Sequence, residues 1–311
     1  MEEISFGTDG WRGIIADDFT YENLGRVAEA TASYLKSSER RNLEIYDQWG
    51  TPYRSAGDGV IIGYDGRFAS EDFALYVARV LEESGVPASV SHEMVPTPAL
   101  AFAVGEMEAA AGIMITASHN PPEYNGFKVK IESGASAPPA VTDKIEAGLP
   151  DDSPEIDSGL EVERVDISSS YIEALEELVD GEALTKNSVM AVVDSMYGSA
   201  QGFTGRVLDS FGVSSVEVRG DFNPGFKGVR PEPLEEYLDP LKEEIVRQKN
   251  EIDIPIIGVV TDGDGDRVSA IAEDSSFIDA HRTYALLMRY LIEEKGWKGK
   301  AVKNFPLTDM V

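Results

Sequence analysis

Thr116-Ala117-Ser118-His119-Asn120-Pro121-Pro122-Glu123-Tyr124-Asn125-Gly126-Phe127-Lys128 follows an apolar run, Ala111-Gly112-Ile113-Met114-Ile115. The run reads as a short buried strand. A strand that ends in Ser-His and then meets two prolines cannot continue as sheet or helix, because proline lacks an N–H and fixes φ. The chain must turn there. The turn presents a hydroxyl, an imidazole and, shortly after, a lysine at an exposed corner.

Working outward, Val60 to Asp65 is a second buried strand, followed by Gly66-Arg67 and a helix that Ser70 is expected to cap. Val86 to Val90 reads as a strand. Thr97 is expected to cap a helix from about residue 98 to 106, with Pro98 as its first residue. Phe127 to Ile131 alternates and reads as a strand. Upstream, Leu24, Val27, Ala28, Thr31, Tyr34 and Leu35 fall on one face of a helix over 20–36 that Thr20 can cap. Strands alternating with helices define an α/β layout with a largely parallel sheet, in which ligands collect at the carboxyl ends of strands. Ser118 lies at such an end.

Residues 4–15 carry Gly7, Gly10 and Gly13, which are expected to break up any regular element and leave Arg12 on a glycine-rich loop. That arginine reads either as an anion contact or as a surface residue of an N-terminal hairpin. Arg40 and Arg41 read as a solvated face. Residues 133–166 are rich in Ser, Pro, Asp and Glu and mark a linker with one short helix near 142–148. The alternation then resumes. Ser170-Tyr171-Ile172-Glu173 reads as a capping box, and strands are expected at 188–194, 213–218 and 254–260.

The last of these strands runs into Thr261-Asp262-Gly263-Asp264-Gly265-Asp266-Arg267. Three carboxylates on alternate residues, spaced by glycines, can converge on one hard divalent cation. An acidic surface turn is the alternative, and like charges this close repel unless something neutralises them. Asp262, Asp264, Asp266 and Glu273 also fall at positions one, three, five and twelve of a calcium loop. Arg267 stands where that loop needs glycine, and a strand precedes it instead of a helix. Three carboxylates leave room for water or a substrate oxygen, which suits Mg²⁺ beside a phosphate. Oxygen ligands favour Mg²⁺ without excluding Mn²⁺. Arg267 is suited to bind the phosphate. A serine hydroxyl, a metal triplet and cationic side chains together point to phosphoryl transfer through a phosphoserine.

The totals bound the rest. The chain has 311 residues, enough for two or three domains, and 42% hydrophobic residues, enough for true cores. It has no cysteine, so disulfides and thiolate metal sites are excluded. The first residues have no basic or apolar stretch of a signal peptide, and no apolar run reaches the ~18–20 residues of a membrane span, so a cytoplasmic location is expected. Fifty-six acidic and 27 basic residues give a formal charge of −29, which disfavours nucleic acid and anionic membrane as partners. The same charge suggests adaptation to high salt, the alternative being an ordinary acidic surface.

The segments Gly7-Thr8-Asp9-Gly10-Trp11-Arg12-Gly13, Thr116 to Lys128, Pro231-Glu232-Pro233 and Asp262 to Arg267 together resemble the α-D-phosphohexomutase superfamily, the phosphoglucomutase/phosphomannomutase group. The resemblance implies two consecutive α/β domains with mixed, largely parallel sheets, at 1–150 and 151–276, and the start of a third at 277–311 with a helix over 279–295 and a strand near 300–305. It implies a phosphate on Ser118 that passes to a hexose 1-phosphate. A 1,6-bisphosphate then reorients and returns its other phosphate to Ser118, releasing hexose 6-phosphate. One Mg²⁺ would sit on Asp262, Asp264, Asp266 and an oxygen of Ser118, with hexose 1,6-bisphosphate as activator.

By the same resemblance, Lys128 is the expected general acid/base, its pKa lowered by neighbouring cations, with His119 assisting or capping the turn. Arg12 and Arg267 would contact the phosphoserine and substrate, and Thr8 and Asn120 are further expected phosphate or substrate contacts. The wording from Asn120 to Lys128 looks more like the glucose/mannose branch than the glucosamine branch. Sugar-recognition and C-terminal phosphate loops of the family are not found in these residues. The chain is therefore expected to be an N-terminal portion that pairs with a missing half or self-associates through 277–311. It would act as a mutase, as an inactive metal- and phosphate-binding fragment, or as a metal-dependent phosphatase.

Overall fold

A computed structural model describes residues 4–48, 50–186 and 188–303. Its elements in chain order are β1 (Trp11–Ile14), α1 (Tyr21–Lys36), α2 (Glu44–Gln48), β2 (Val60–Tyr64), α3 (Ser70–Glu83), β3 (Ala88–Ser91), α4 (Thr97–Glu106), β4 (Ala111–Ile115), β5 (Tyr124–Lys130), α5 (Pro139–Ala147) and β6 (Glu163–Val165). They continue with α6 (Ser168–Leu178), α7 (Gly181–Lys186), β7 (Met190–Asp194), α8 (Phe203–Ser210), β8 (Ser215–Val218), α9 (Asp239–Glu251), β9 (Ile256–Thr261), β10 (Val268–Ile271), β11 (Phe277–Ile278) and α10 (Ala280–Arg289).

The continuous apolar runs of β2 and β4 are buried at every position. This is what a strand covered by helices on both faces requires. They lie at the centre of a six-stranded sheet of order β1-β5-β4-β2-β3-β6. β4, β2, β3 and β6 run parallel, while β5 and β1 add an antiparallel edge. A second sheet has the order β11-β10-β9-β7-β8, parallel across β9, β7 and β8 and antiparallel beyond. The fold is thus α/β with two mixed sheets.

Three apolar clusters hold it together. One joins α1, α3 and α5 to the first sheet, with Phe19, Leu24, Ile62, Leu81 and Ile113 fully buried. Another packs α9 on the second sheet through Leu241, Ile245 and Val260. The third spans the two units. It combines Leu100, Val104 and Met114 of the first with Ile172, Phe203 and Val207 of α6 and α8. Burying such side chains contributes roughly 1.5–3 kcal/mol each, so the third cluster fixes the two sheets relative to one another.

Several expectations are corrected. Arg12 lies on strand β1, paired with β5, and not on a loop; backbone pairing outweighs the glycine content. The Thr20 cap on α1 is present, its hydroxyl accepting from the Asn23 amide at 3.2 Å. Ser70 does not cap α3, because Ala69 occupies that place in a left-handed conformation and Ser70 Oγ donates to Asp65 Oδ1 at 2.9 Å. Thr97 is likewise the first residue of α4, following Pro96 at the cap. The Ser170 capping box is absent. Asp166 accepts the amides of Ser168 and Ser169 at 3.0 and 3.1 Å and starts α6 two residues earlier. Arg40 is buried, paired with Glu132 and bonded to the Leu35 and Ala110 carbonyls.

The segment 133–166 contributes both α5 and the edge strand β6, which joins the first sheet beyond residue 150. Phe277–Ile278 belongs to the second sheet. After it, α10 runs into a π-helical turn, Tyr290–Glu294. Its Leu286, Leu287 and Ile292 are exposed, as is Trp297 just beyond. Residues 300–303 are irregular, and the rest of the strand expected near 300–305 lies outside the described residues.

Candidate active site

β4 carries the chain up to Thr116, whose hydroxyl donates to Asp65 Oδ2 at 2.6 Å and accepts the Ser118 amide at 2.9 Å. Ser118 then adopts a left-handed conformation, φ +53°, where a side chain is strained. The two prolines deny the chain a regular path, and the turn closes with the Tyr124 amide donating to the Pro121 carbonyl at 3.1 Å. Arg67, unassigned from sequence, donates to four carbonyls of this turn. Ser118 is buried, and its Oγ–H donates to Asp262 Oδ2 at 3.0 Å across 144 residues.

The second loop leaves β9 at Thr261. Asp262 Oδ1 accepts the amides of Asp266 and Arg267, each at 3.1 Å, which curls the loop and brings the three aspartates together. Asp262, Asp264 and Asp266 offer oxygens all within 4.8 Å of one another. Asp264 Oδ2 accepts from Thr97 Oγ1 at 2.7 Å and Lys128 Nζ at 2.8 Å, while its Oδ1 is buried without a hydrogen-bond partner. The loops interlock: a Cβ on Gly263 would stand 2.4 Å from the Ser118 carbonyl oxygen. Gly263 is held on both sides, its amide donating to Pro231 O at 3.0 Å and its carbonyl accepting from Ser199 N at 2.9 Å.

Burial pushes the Asp262 carboxyl up to about 7, with Asp264 and Asp266 adding to the effect. Burial also raises Asp266, again with Asp264 beside it. Burial acts on Asp264 in the same sense, but the Lys128 ammonium and the Thr97 hydroxyl outweigh it and hold this carboxyl below its ordinary value. Three convergent carboxylates, one with an orphaned buried oxygen, next to a hydroxyl fit a hard divalent cation.

Lys128 does not sit among cations. Its Nζ meets Asp9 Oδ2 at 2.7 Å, Asp264 Oδ2 at 2.8 Å and Asp266 Oδ2 at 3.6 Å. Burial alone would lower its pKa, yet the carboxylates win and raise it, which overturns the expected lowering. The depressed lysine is Lys130, two residues on, where burial dominates. His119 Nδ1 lies 3.3 Å from Ser118 Oγ, and burial together with Arg267 keeps the imidazole below its ordinary value.

Arg267 Nε donates to Asp262 Oδ2 at 2.9 Å, and its Nη2 lies 3.4 Å from Ser118 Oγ. Arg12 reaches the same corner through Asn120, donating to its Oδ1 at 2.7 Å. Thr8 is exposed in the turn closed by Gly7 N and Gly10 O, next to Asp9. The structure therefore brings together Ser118, His119, Asn120, Lys128, Arg12, Arg267 and the triplet. It adds Asp9, Asp65, Arg67 and Thr97. Asp9 lies within the Gly7–Gly13 motif, and Asp65 and Arg67 follow the carboxyl end of β2, which was the available signal; Thr97, at the start of α4, carried none.

Two family models match the chain: phosphoglucomutase/phosphomannomutase, alpha/beta/alpha domain I, over residues 3–154, and domain II of the same family over 169–275. The first contains Ser118 and the second the aspartate triplet. The chain belongs to the phosphoglucomutase/phosphomannomutase family of α-D-phosphohexomutases. It is 30% identical over 294 residues to a phosphoglucomutase/phosphomannomutase of Thermococcus kodakarensis, covering 94% of this chain and 60% of that protein. It is 28% identical over 298 residues to a phosphoglucosamine mutase of Prochlorococcus marinus, covering 93% and 59%. A crystal structure from Thermus thermophilus, provisionally called a phosphomannomutase, superposes with a TM-score of 0.84 at 34% identity, covering 98% of this chain and 65% of that one. The chain thus spans about three-fifths of the length of the curated relatives it matches.

Proposed function

We propose that this chain carries the phosphoryl-transfer centre of a hexose phosphate mutase that interconverts hexose 1-phosphate and hexose 6-phosphate, with glucose or mannose as the sugar. The observation that carries the reading is the contact of Ser118 Oγ with Asp262, at 3.0 Å, inside a ring formed by the triplet, His119 and Arg267. A mutase needs one oxygen that alternately holds and releases a phosphoryl group. In the forward half, the O6 of a hexose 1-phosphate attacks the phosphorus on Ser118. The P–Oγ bond breaks, the O6 proton passes to neutral His119, and a proton returns from it to Ser118 Oγ as that oxygen leaves. In the return half, Ser118 Oγ gives its proton back to His119 and attacks the phosphate at C1 of the reoriented bisphosphate, and the sugar O1 leaves as a hydroxyl that takes up that proton.

The residues divide this work by their charge states. His119, held neutral, is placed to accept the Ser118 proton when the serine attacks. Lys128, held charged, is an electrostatic partner and proton donor and not a resting base. Arg267 and Arg12 are forks for phosphate oxygens, with Asn120 orienting Arg12. Mg²⁺, held by Asp262, Asp264, Asp266 and an oxygen of Ser118, would neutralise charge on the transferring group. Hexose 1,6-bisphosphate would prime Ser118. The preference for glucose or mannose rests on the wording of residues 120–128, and the relatives carry both hexose and glucosamine names. A cytoplasmic location is part of the proposal, supported by the cysteine-free sequence. Among the described residues, no helix is long and apolar enough to cross a membrane.

One observation favours a second reading. Exposed Leu286, Leu287, Ile292 and Trp297 offer an apolar face for further polypeptide or a second copy, so without that occupant the chain would bind metal and phosphate without completing turnover. The test is conversion of glucose 1-phosphate to glucose 6-phosphate with Mg²⁺ and a bisphosphate primer. Turnover by the chain alone supports the mutase reading, a labelled phosphoenzyme without turnover supports the second, and release of inorganic phosphate alone would mark a phosphatase. Ser118→Ala removes the label in every case; a label that persists overturns Ser118 as acceptor.

A further inference from the structure

Arg67 is one of the largest fully buried side chains of the chain, and it has no place in the chemistry above. A guanidinium has five N–H donors, and the structure supplies five acceptors. Nε donates to Asp65 Oδ2 at 3.0 Å. Nη1 donates to the carbonyls of Pro121 at 2.8 Å and Tyr124 at 2.9 Å. Nη2 donates to the carbonyls of Ser118 at 2.7 Å and Asn120 at 2.8 Å. Four of the five acceptors thus belong to the turn that carries Ser118. The fifth, Asp65, grips Thr116 at the turn's other side, and Thr116 Oγ1 receives the Ser118 amide.

This arrangement accounts for the backbone of Ser118. A left-handed conformation is unfavourable for a non-glycine residue, and such strain persists where surrounding contacts over-determine it. One guanidinium holds the carbonyl of the strained residue and three carbonyls after it, and through Asp65 it is tied to the Thr116 hydroxyl before it. Lysine could not reproduce this, having three donors on a point charge instead of a planar fork.

A second contact comes from the other sheet's unit. The ring of Phe226, fully buried, stands 5.0 Å from the Arg67 guanidinium carbon. Phe226 and Lys227 both take positive φ, +47° and +49°, at this point of the 219–229 loop. Two strained residues thus place an aromatic ring on the arginine that shapes the serine turn.

We propose that Arg67 is a positioning residue that sets the direction of Ser118 Oγ, and that Phe226 makes this setting depend on the seating of the second unit against the first. The inference rests on the reading of Ser118 as phosphoryl acceptor. Two variants of the full chain test it, Arg67→Lys and Phe226→Leu. Two quantities are measured: the rate at which radiolabelled glucose 1,6-bisphosphate labels Ser118, against bisphosphate concentration, and hydrogen exchange of the amides of residues 118–124.

Both variants should lower the maximal labelling rate about 10–100-fold, as small misplacements of reacting groups do. The half-saturating bisphosphate concentration should stay within about twofold, because the Arg67 side chain is buried and its donors are all taken by the protein. Turn amides should exchange about tenfold faster while those of 111–115 keep their protection. An unchanged maximal rate in Arg67→Lys overturns the proposal. So does loss of protection spread equally through 111–115, which would make Arg67 a core residue only. A Phe226→Leu variant indistinguishable from the parent overturns the coupling to the second unit. Should Arg67→Lys not fold, Phe226→Leu decides alone, since leucine keeps the site filled and removes only the ring face on the guanidinium; a variant indistinguishable from the parent then overturns the whole proposal. Should the parent chain take no label at Ser118, the mutase reading fails, while exchange in the turn still decides whether these two residues position it.

Discussion

Burial pushes Asp262 up to about 7, from an ordinary value of 3.8. Between those values the folded chain holds a proton that the unfolded chain has released. Stability from this group is therefore full at low pH and is lost as pH rises through the interval. With chelator present, the melting temperature should fall between pH 5 and pH 8 by an amount that Asp262→Asn removes. Mg²⁺ competes with that proton, so it should raise the melting temperature more at pH 8 than at pH 5. At a hundredfold excess over Kd the gain is about 2.7 kcal/mol. Equal stabilisation at both pH values would refute the assignment of Asp262 to the metal. The triplet was legible because its spacing is local. The charge state of Lys128 was not, since Asp9 and Asp264 reach it from distant parts of the chain.

At the scale of elements, the first turn of α4 is tied to the metal loop. Thr97 donates through both its hydroxyl and its amide to Asp264, at 2.7 and 2.8 Å. Thr97→Val removes only the hydroxyl bond. Orienting partners of this kind are worth about 10–100-fold in metal affinity, so Mg²⁺ binding, measured by calorimetry, should weaken by that factor while α4 stays folded. An unchanged affinity would make the bond incidental. The strands β2 and β4 were legible because burial on both faces leaves an uninterrupted apolar run. β1 was not, because its pairing with β5 overrides a glycine-rich sequence. Ser70 and Thr97 were read as helix caps because the sequence shows the right residue type there. Their hydroxyls bond instead to Asp65 and Asp264, which lie outside their helices.

For the whole molecule, the formal charge of −29 sets a background of self-repulsion. Salt screens exposed charges over about 10 Å at 0.1 M. The chain should gain stability from KCl, with the denaturant midpoint rising between 0.1 and 2 M; a flat profile would sink the idea of salt adaptation. The two-unit layout was legible from the alternation of elements. The apolar cluster that joins the units was not, since Leu100 and Phe203 meet only in space.

The contact between Ser118 and Asp262 spans 144 positions along the chain, and this bears on biosynthesis. A growing polypeptide completes the first sheet's central strands, and the Ser118 turn with them, well before the aspartate loop has been made. Until then Lys128 lacks Asp264, and the clustered aspartates do not yet exist. Assembly of the centre is therefore a late folding event, slowed by the closure of a long loop. Its arrival would report that both units have been synthesised and docked.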